Sequence, residues 1–285
     1  MKLILLIMLC SVLMLLFYRA YKNTQKVALN KIRLSAIDSE HTTSPLNILQ
    51  ISDMHLEKIS ISPEQLYEKL AGEKIDLIAL TGDFLDKKRS IPRLIPYLNV
   101  LNRLNAKYGI YAVFGNHDYH LRQTDFELLR KVMEEHGCKT LQNELETIMV
   151  EGKLVNIIGI DDYHTKRSDL KASFTGIKEG YNLVLTHDPN IVLNMKDYSF
   201  DYLLSGHFHG GQIYWPKPYH LAKLGRAMMR KDMIKGLHYY DEKPFYISEG
   251  LGQTSINIRV GSRPEITLHE LSLNSIEKEE TLTAV

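Results

Sequence analysis

Short apolar runs separated by polar, glycine-containing segments dominate the chain from residue 46 onward. The first run, residues 47–52, has the length of a buried strand and ends directly at Asp53. Runs of the same kind predict further strands at residues 75–80, 110–114, 155–160, 181–185 and 202–204. Patterns with helical spacing lie between several of these strands, at residues 63–71, 92–107 and about 124–137. The alternation of strands and helices predicts an α/β fold.

Local signals refine the predicted helices. Pro63 suits a first helical position, whereas Pro96 should disturb the first turns of its helix. Thr124 and Glu127 have the spacing of a capping box for the next helix. The last third of the chain is richer in strands, which we predict at residues 212–215, 245–248 and 266–271.

The N-terminal segment is the strongest break in composition. Residues 3–18 are apolar apart from Ser11. As a helix they would rise about 24 Å, short of the roughly 30 Å hydrocarbon core, and flanking aromatic and basic side chains could extend the span. We therefore predict a membrane anchor over residues 1–22. A cleaved signal peptide is one alternative, although residues 17–22 offer no small-x-small cleavage site, and a buried core helix is another.

Basic residues after this segment set its expected orientation. Only Lys2 precedes the apolar run, whereas five basic residues and no acid follow it before Asp38. The positive-inside rule then favours a cytoplasmic catalytic domain, and anionic headgroups would hold a basic and polar linker, residues 23–45, at the membrane surface. An extracytoplasmic domain is the alternative, because a short N-terminus with one lysine also occurs in anchors that export their C-terminal domain.

The remaining charge and the cysteines argue against two classes of protein, broad nucleic-acid binders and disulfide-rich domains. Residues 1–37 hold six of the 35 basic side chains and none of the 34 acidic ones, so the rest of the chain carries a net charge of −5. A broad nucleic-acid surface is therefore not expected. The two cysteines, Cys10 and Cys138, lie in the anchor and the body and provide no disulfide framework. We expect one domain over residues 46–271 and a disordered acidic tail over residues 272–285.

Five polar motifs follow the predicted strands and carry residues that bind metals. The motifs are Asp53 and His55, Gly82 and Asp83, Asn116 to Asp118, His187 and Asp188, and the glycine-rich turn with His207 and His209. Ligands gather beyond the carboxyl ends of strands in α/β sheets, so these side chains can converge from distant positions.

The residue types indicate a site for two metal ions. On an extended backbone Asp53 and His55 would point to one side and bind one ion, while Asp83 could bridge two ions with its two oxygens. The mixture of carboxylate, amide and imidazole groups suits Mn, Fe or Zn. Two such ions about 3.5–4 Å apart can bind a phosphoryl group and activate a bridging water as hydroxide. His117 would then protonate the leaving oxygen, with Asp118 orienting its ring.

In their order and spacing the five motifs resemble those of calcineurin-like metallophosphoesterases, over roughly residues 46–271. The resemblance implies a four-layer α/β/β/α sandwich with His117 as the catalytic histidine. It also implies two divalent metal ions, one held by Asp53, His55, Asp83 and His209 and the other by Asp83, Asn116, His187 and His207. All these positions carry the expected residue types.

The C-terminal motifs sharpen the resemblance. Residues 206–212, 246–252 and 263–266 resemble the membrane-anchored branch, which includes enzymes that cleave the pyrophosphate of UDP-2,3-diacylglucosamine. Phe208 departs from the threonine often found between the two histidines. We expect hydrolysis of a phosphorylated, membrane-linked substrate of this kind. The alternatives are a cell-envelope phosphodiesterase with a non-lipid substrate, a nuclease, and a metal-free scaffold of the same fold.

Several residues near the motifs have two interpretations. Arg259 and Arg263 could bind a substrate phosphate or pair with Glu249 and Glu265. The basic and apolar segment 217–235 could form a lip that binds a lipid phosphate or the bilayer interface, or it could be a solvated insertion.

Other polar residues are expected to be structural. Asp161 and Asp162 follow a strand and favour a polar turn over an accessory site. Of the histidines outside the motifs, only His120 and His164 lie near the catalytic loops, and the others are expected at surface or structural positions.

Overall fold

The computed structural model describes residues 1–34, 45–214, 217–218 and 221–273. The helices are α1 (Lys2–Thr24), α2 (Pro63–Leu70), α3 (Ile91–Arg103), α4 (Gln123–Glu135), α5 (Leu170–Ser173), α6 (Leu221–Leu224) and α7 (Arg226–Arg230). The strands are β1 (Ala28–Leu34), β2 (Leu46–Ile51), β3 (Leu77–Thr81), β4 (Ile110–Val113), β5 (Cys138–Thr140), β6 (Glu144–Val150), β7 (Lys153–Gly159), β8 (Tyr181–Leu185), β9 (Tyr202–Ser205), β10 (Gly236–Tyr240), β11 (Lys243–Ile247) and β12 (Glu265–Leu271).

The strands form two mixed six-stranded sheets. Sheet 1 has the order β1-β12-β2-β3-β4-β5, and sheet 2 has the order β10-β11-β9-β8-β7-β6. In sheet 1, β2 to β5 are parallel and β12 runs antiparallel to β2. In sheet 2, β7, β8, β9 and β11 are parallel, and β6 and β10 pair antiparallel at the edges. The central parallel strands are buried on both faces, which explains their continuous apolar runs.

Three apolar clusters define the layers. One cluster lies between the sheets and joins residues such as Ile48 and Val113 of sheet 1 to Leu183 and Leu204 of sheet 2. A second packs α2, α3 and α4 against the outer face of sheet 1. The third covers sheet 2 with α6, α7 and the 3₁₀ helix Pro189–Asn194. The α/β fold and its order of layers are thus confirmed.

Helix starts follow the predicted chemistry in one case and not in another. In α2, the Ser62 hydroxyl accepts from Gln65 N, and the Gln65 side chain accepts from Ser62 N, a full capping box in front of Pro63. The predicted Thr124 cap is wrong, because α4 begins at Gln123 and follows Arg122 without a side-chain cap. Pro96 lies inside α3 without ending it.

The predicted linker at residues 23–45 contains a strand. β1 pairs in parallel with β12 over its whole length, from Ala28 beside Glu265 to Leu34 beside Leu271. The sequence concealed this strand because it lies at a sheet edge and its residues are mostly half-exposed or exposed. The chain therefore enters sheet 1 directly after α1. Residues 35–44, between β1 and β2, lie outside the described residues.

The ends of the chain and one predicted strand also differ from expectation. The apolar helix is present as α1, 23 residues long, and it is exposed along most of its length. Its length and composition suit an anchor or a signal sequence. The strand predicted at residues 212–215 does not form: Ile213 makes an isolated bridge with Val260, and Trp215 lies outside the described residues, as do residues 274–285 of the predicted tail.

Candidate metal centre

The predicted ligands of the two sheets converge at the carboxyl ends of the central strands. Strands β2, β3 and β4 are parallel neighbours in sheet 1, and β8 and β9 are parallel neighbours in sheet 2. All seven residues that follow these strands as predicted ligands are buried: Asp53, His55, Asp83, Asn116, His187, His207 and His209.

A first cluster joins side chains of both sheets, namely Asp53, His55 and His209. The Nε2 atoms of His55 and His209 are 3.1 Å apart, and His209 Nε2 lies 3.3 Å from Asp53 Oδ1. His55 Nε2 also lies 3.5 Å from Asp83 Oδ2. The nearest polar atoms of these residues therefore face a common point that one cation could occupy.

Asp83 connects the first cluster to a second one that contains His187 and His207. Asp83 Oδ2 is 3.1 Å from His187 Nε2, which is 3.2 Å from His207 Nδ1. The same carboxylate oxygen thus contacts imidazoles of both clusters. Asn116 is also buried, and its Oδ1 has no hydrogen-bond partner among the described residues.

The donor set fits divalent metal ions. His187 Nδ1 donates to the Thr81 carbonyl oxygen over 2.8 Å, so its Nε2 is the atom left to face Asp83 and His207. Burial opposes protonation, yet Asp83 raises the pKa of His187 well above its usual range, as expected where a proton or a metal ion is favoured at Nε2. Burial lowers the pKa of His207 and His209, which keeps their lone pairs free for a metal.

Strained backbone places five of these ligands. Asp53, His55, Asp83, His207 and His209 have φ values of 50°, 38°, 56°, 73° and 49°. Such left-handed conformations cost about 1–3 kcal/mol each in residues other than glycine and occur mostly at functional sites. The predicted extended backbone at the first two residues is therefore wrong, and their side chains converge through a tight turn instead.

His117 lies at the open side of the clusters, with 23% of its side chain exposed. Its backbone N–H donates to Asp83 Oδ1 over 2.8 Å, and its Nδ1 is 2.6 Å from Asp86 Oδ1. Burial disfavours the charged ring, but the hydrogen bond to Asp86 raises the pKa of His117 to about 9. Asp86 is the functional carboxylate that sequence reasoning missed, although it stands only three residues after Asp83 in the same loop.

Asp118 does not orient the His117 ring, and this prediction is corrected. Its carboxylate accepts backbone N–H groups from four residues of two loops, at 2.9–3.3 Å: Asp83, Phe84, Leu85 and Gly115. Asp118 is fully buried, and burial raises its pKa to about 8. The residue therefore joins the loops after β3 and β4 and positions the ligands Asp83 and Asn116.

Arg259 is not available to a substrate phosphate, which corrects a second prediction. Its side chain is fully buried, and the guanidinium donates to four backbone carbonyl oxygens, those of His209, Glu249, Gly250 and Gly252. Arg263, in contrast, is exposed, and its backbone N–H donates to Glu249 Oε2. Arg259 is thus a structural partner of the loop that carries His209.

A cleft of about 540 Å³ opens beside the second cluster. Its lining includes His164, Lys166, Asp188, Asn190 and Leu224. The His164 ring lies 5.3 Å from the His207 ring, and nitrogen and oxygen atoms of His164, Asp188 and His207 lie within 4.8 Å of one another. The cleft therefore offers cationic and hydrogen-bonding groups next to the metal ligands.

The segment 217–235 is attached through apolar residues and exposes basic ones. Leu221, Met228 and Ile234 are buried against sheet 2, whereas Lys223 and Arg230 are exposed. Phe208, the unusual residue between the two histidines, is buried in the same cluster and packs against Gly225, where a Cβ atom would lie only 2.4 Å from its ring. Phe208 thus anchors the segment 217–235 to sheet 2 by packing, and Leu224 of this segment lines the cleft.

The remaining polar candidates have identifiable partners. His120 lies beside His117, with ring centroids 4.8 Å apart. Asp161 accepts the Tyr119 hydroxyl, and Asp162 accepts Thr165 N in the turn after β7. The two aspartates are therefore explained by the polar-turn interpretation.

The motifs of the metal centre match a known family. The model of the calcineurin-like phosphoesterases matches residues 46–211, more than half of the chain. The chain belongs to the calcineurin-like phosphoesterase family. It is accordingly a metallophosphoesterase, a hydrolase whose buried His and Asp clusters are consistent with the dimetal site of this family.

Related members of the family differ in what is known of them. The uncharacterized metallophosphoesterase YkoQ of Bacillus subtilis is 59% identical over 89% of this chain and 94% of its own length. The phosphodiesterase YaeI of Escherichia coli is 27% identical, covering 80% of this chain and 83% of its own. The UDP-2,3-diacylglucosamine pyrophosphatase LpxG of Chlamydia muridarum is 26% identical, covering 78% and 82%. The similarity to the lipid pyrophosphatase is thus distant.

Proposed function

We propose that the chain hydrolyses a phosphoester or pyrophosphate bond with two metal ions at the membrane surface. One ion would be held by Asp53, His55, Asp83 and His209, and the other by Asp83, Asn116, His187 and His207. The observation that carries this proposal is Asp83 Oδ2, which lies within 3.1–3.5 Å of imidazoles in both buried clusters. When bound, two ions would neutralise the phosphoryl group and lower the pKa of an attacking water.

His117 acts in this proposal as the general acid. Its Nδ1 is engaged with Asp86, so Nε2 is the atom free to donate a proton to the leaving oxygen. The pKa of about 9 keeps the ring protonated at neutral pH. Asp86 therefore replaces Asp118 as the residue that orients His117 and maintains its charge.

The cleft beside His207 would hold the leaving group. Lys166 and His164 suit a second phosphate. The Asn190 side-chain oxygen can accept from a polar group, since its amide nitrogen already donates to Asp188 and Leu224. Together with α1, this favours a lipid-linked phosphate or pyrophosphate, for which a UDP-2,3-diacylglucosamine-like lipid is the specific candidate. A phosphodiester without a lipid is the second candidate, because the relative YaeI is named a phosphodiesterase.

Metal binding and hydrolysis can be tested together. Purified full-length protein reconstituted with Mn²⁺ should contain close to two ions per chain and hydrolyse bis-p-nitrophenyl phosphate. Asp83→Asn should lower both the metal content and the activity, whereas the exposed Asp197→Asn should change neither. Full activity of Asp83→Asn, or wild-type protein without bound metal, would reject the dimetal mechanism and favour the scaffold alternative.

A substrate panel would separate the remaining candidates. It should contain lipid-linked pyrophosphates, nucleotide diphosphate sugars, glycerophosphodiesters, and single-stranded and duplex DNA, with phosphate or nucleotide release as the readout. We expect turnover of lipid-linked pyrophosphates and no cleavage of DNA, given the net charge of −5 outside the N-terminal segment.

The basic residues after α1 favour a cytoplasmic catalytic domain. Protease treatment of intact spheroplasts should then leave the domain undigested. Its digestion would place the domain on the outer face.

A further inference from the structure

The last turn of α1 is built into the catalytic domain. Ala20 and Thr24 are buried, whereas residues 1–19 are exposed. The Ala20 carbonyl oxygen accepts the Arg259 backbone N–H over 2.9 Å, and Asn23 Nδ2 donates to the Arg259 carbonyl oxygen over 3.0 Å. A cleavage that removed α1 including this last turn would expose buried surface and break both hydrogen bonds.

Arg259 also connects this turn of α1 to the metal centre. While its backbone contacts α1, the Arg259 guanidinium donates to the carbonyl oxygen of His209 over 2.7 Å and to that of Gly252 over 2.7 Å. Gly252 N in turn donates to the Asp53 carbonyl oxygen over 2.7 Å. One buried side chain therefore separates the end of the apolar helix from two of the ligand-bearing loops.

There is no spacer between the apolar part of α1 and the domain. Phe17 is exposed, and Ala20 is already buried, so three residues or about 4.5 Å of helix separate lipid-facing from domain-facing positions. Arg19, Tyr21 and Lys22, on either side of Ala20, are exposed and have the amphipathic character found at headgroup level. The surface around Arg259 must then lie at the headgroups if α1 spans the bilayer.

The surface around Arg259 carries two solvent-exposed apolar side chains. Ile256 is 55% exposed and Ile213 is 37% exposed. Both belong to the structure that holds α1, because Gln212 Nε2 donates to the Ile256 carbonyl oxygen and Ile213 bridges to Val260. Residues 253–260 contain no acid, and Lys58 Nζ donates to the carbonyl oxygen of Ser255, which places a cation beside the exposed isoleucine.

We propose that the exposed side chains of residues 254–258 together with Ile213 form a bilayer-contact surface, and that the docked turn of α1 holds this surface against the lipid headgroups. The occupant is an anionic lipid bilayer, which matches the exposed isoleucines, the neighbouring Lys58, and the exposed Arg19 and Lys22 of the docked helix. The helix is then retained as a fixed part of the domain, and the metal centre opens close to the membrane whichever phosphoester it hydrolyses.

The test measures the depth of single labelled positions in full-length protein. Ile256→Cys and Ile213→Cys, each combined with Cys10→Ser, would carry an environment-sensitive fluorophore in vesicles of phosphatidylcholine and phosphatidylglycerol. The native Cys138 does not compete for the label, because burial raises the pKa of its thiol to about 12. The matched control is Met149→Cys, which is 57% exposed on β6, the edge strand of sheet 2.

Nitroxide-labelled lipids should quench the labels at residues 256 and 213 several-fold more than the label at residue 149. Equal quenching at residues 256 and 149 would overturn the proposal, as would intact mass or N-terminal sequencing of membrane-purified protein that starts after α1. A urea-unfolding transition like that of wild type in detergent confirms that the labelled variants are folded. Because depth is measured without turnover, failure of the bilayer contact and failure of the proposed hydrolase remain distinguishable.

Discussion

In each half of the metal centre, one buried ionisable side chain binds the backbone of the surrounding loops. On the side of sheet 1, the Asp118 carboxylate accepts four backbone N–H groups of the loops after β3 and β4. On the side of sheet 2, the Arg259 guanidinium donates to four backbone carbonyl oxygens around His209 and residues 249–252. Each loop system thus has one buried side chain, called its clamp below, that satisfies the backbone groups of strained turns.

Asp118 and Arg259 differ in the segments that they contact. Asp118 connects only loops of the catalytic core, and its neighbours are the positioned ligands themselves. Arg259 also binds the last turn of α1 through its backbone. Substitution of Asp118 should therefore affect the metal centre without loosening α1, whereas substitution of Arg259 should affect both the metal centre and the docking of α1.

Arg259→Met should have the largest effect. The substitution leaves four buried carbonyl oxygens without their donor, and we expect a loss of about 4 kcal/mol in the free energy of unfolding. Urea unfolding in detergent would measure the change, and protease sensitivity after residue 24 would report loosening of α1. The exposed Arg263→Met is the matched control and should stay within about 0.5 kcal/mol of wild type. A similar loss in both variants would contradict the clamp.

Asp118→Asn should lower the free energy of unfolding somewhat less, by about 3 kcal/mol, because the amide oxygen can still accept some of the four N–H groups. Its amide NH₂ would face backbone donors, so we also expect weaker metal binding, measured by titration with Mn²⁺. Protease sensitivity at the end of α1 should not change. Loosening of α1 in this variant would show that the two clamps are not independent.

Asp86→Asn tests His117, the proposed general acid, rather than either clamp. Loss of the carboxylate lowers the pKa of His117 from about 9, so the alkaline limb of turnover should move toward neutral pH, with roughly a tenfold lower rate. Metal content should fall less than in Asp83→Asn, because Asp86 Oδ1 lies 3.5 Å from Nδ1 of the predicted ligand His55 and only supports that ring. His117→Ala should lower turnover further, by about 10²–10⁴-fold, and remove that limb. An unshifted limb in Asp86→Asn would exclude His117 as the group that titrates.

Ser62→Ala gives the smallest expected effect and a baseline for the comparison. It removes the cap of α2, which packs against the outer face of sheet 1 away from the ligands, and should cost about 1 kcal/mol. Metal affinity and the position of α1 should be unchanged. Altered metal affinity here would mean that global stability, and not the clamps, controls the site.

The sequence predicts the residues of the buried clusters but not the residues that position them. Asp53, Asp83 and the histidines directly follow buried strands, so a local pattern is enough to find them. Adjacency in the chain suggests Asp118 as the partner of His117, but a 3₁₀ turn begins at Asp118 and its carboxylate points to backbone N–H groups instead. Asp86 reaches the ring from a loop 31 residues away, a contact that no local pattern reveals.

The same limit applies to Arg259 and β1. An arginine in a polar loop is expected at the surface, and only the convergence of four carbonyl oxygens makes its burial favourable. β1 resembles a linker in sequence because a half-exposed edge strand lacks the apolar run that marks the central strands. Periodicity thus predicts the buried layers, whereas the contacts that close the structure depend on residues far apart in the chain.

The position of β12 between β1 and β2 has a consequence for biogenesis. Residues Asn23 and Arg259 are 236 positions apart, so at about 5–20 residues per second the ribosome delivers the second roughly 10–50 s after the first. During that interval the N-terminal helix can enter the membrane, while a gap stays open in the first sheet. β12 must insert into this gap before sheet 1 is complete, so the catalytic domain cannot finish folding until residue 271 has been synthesised.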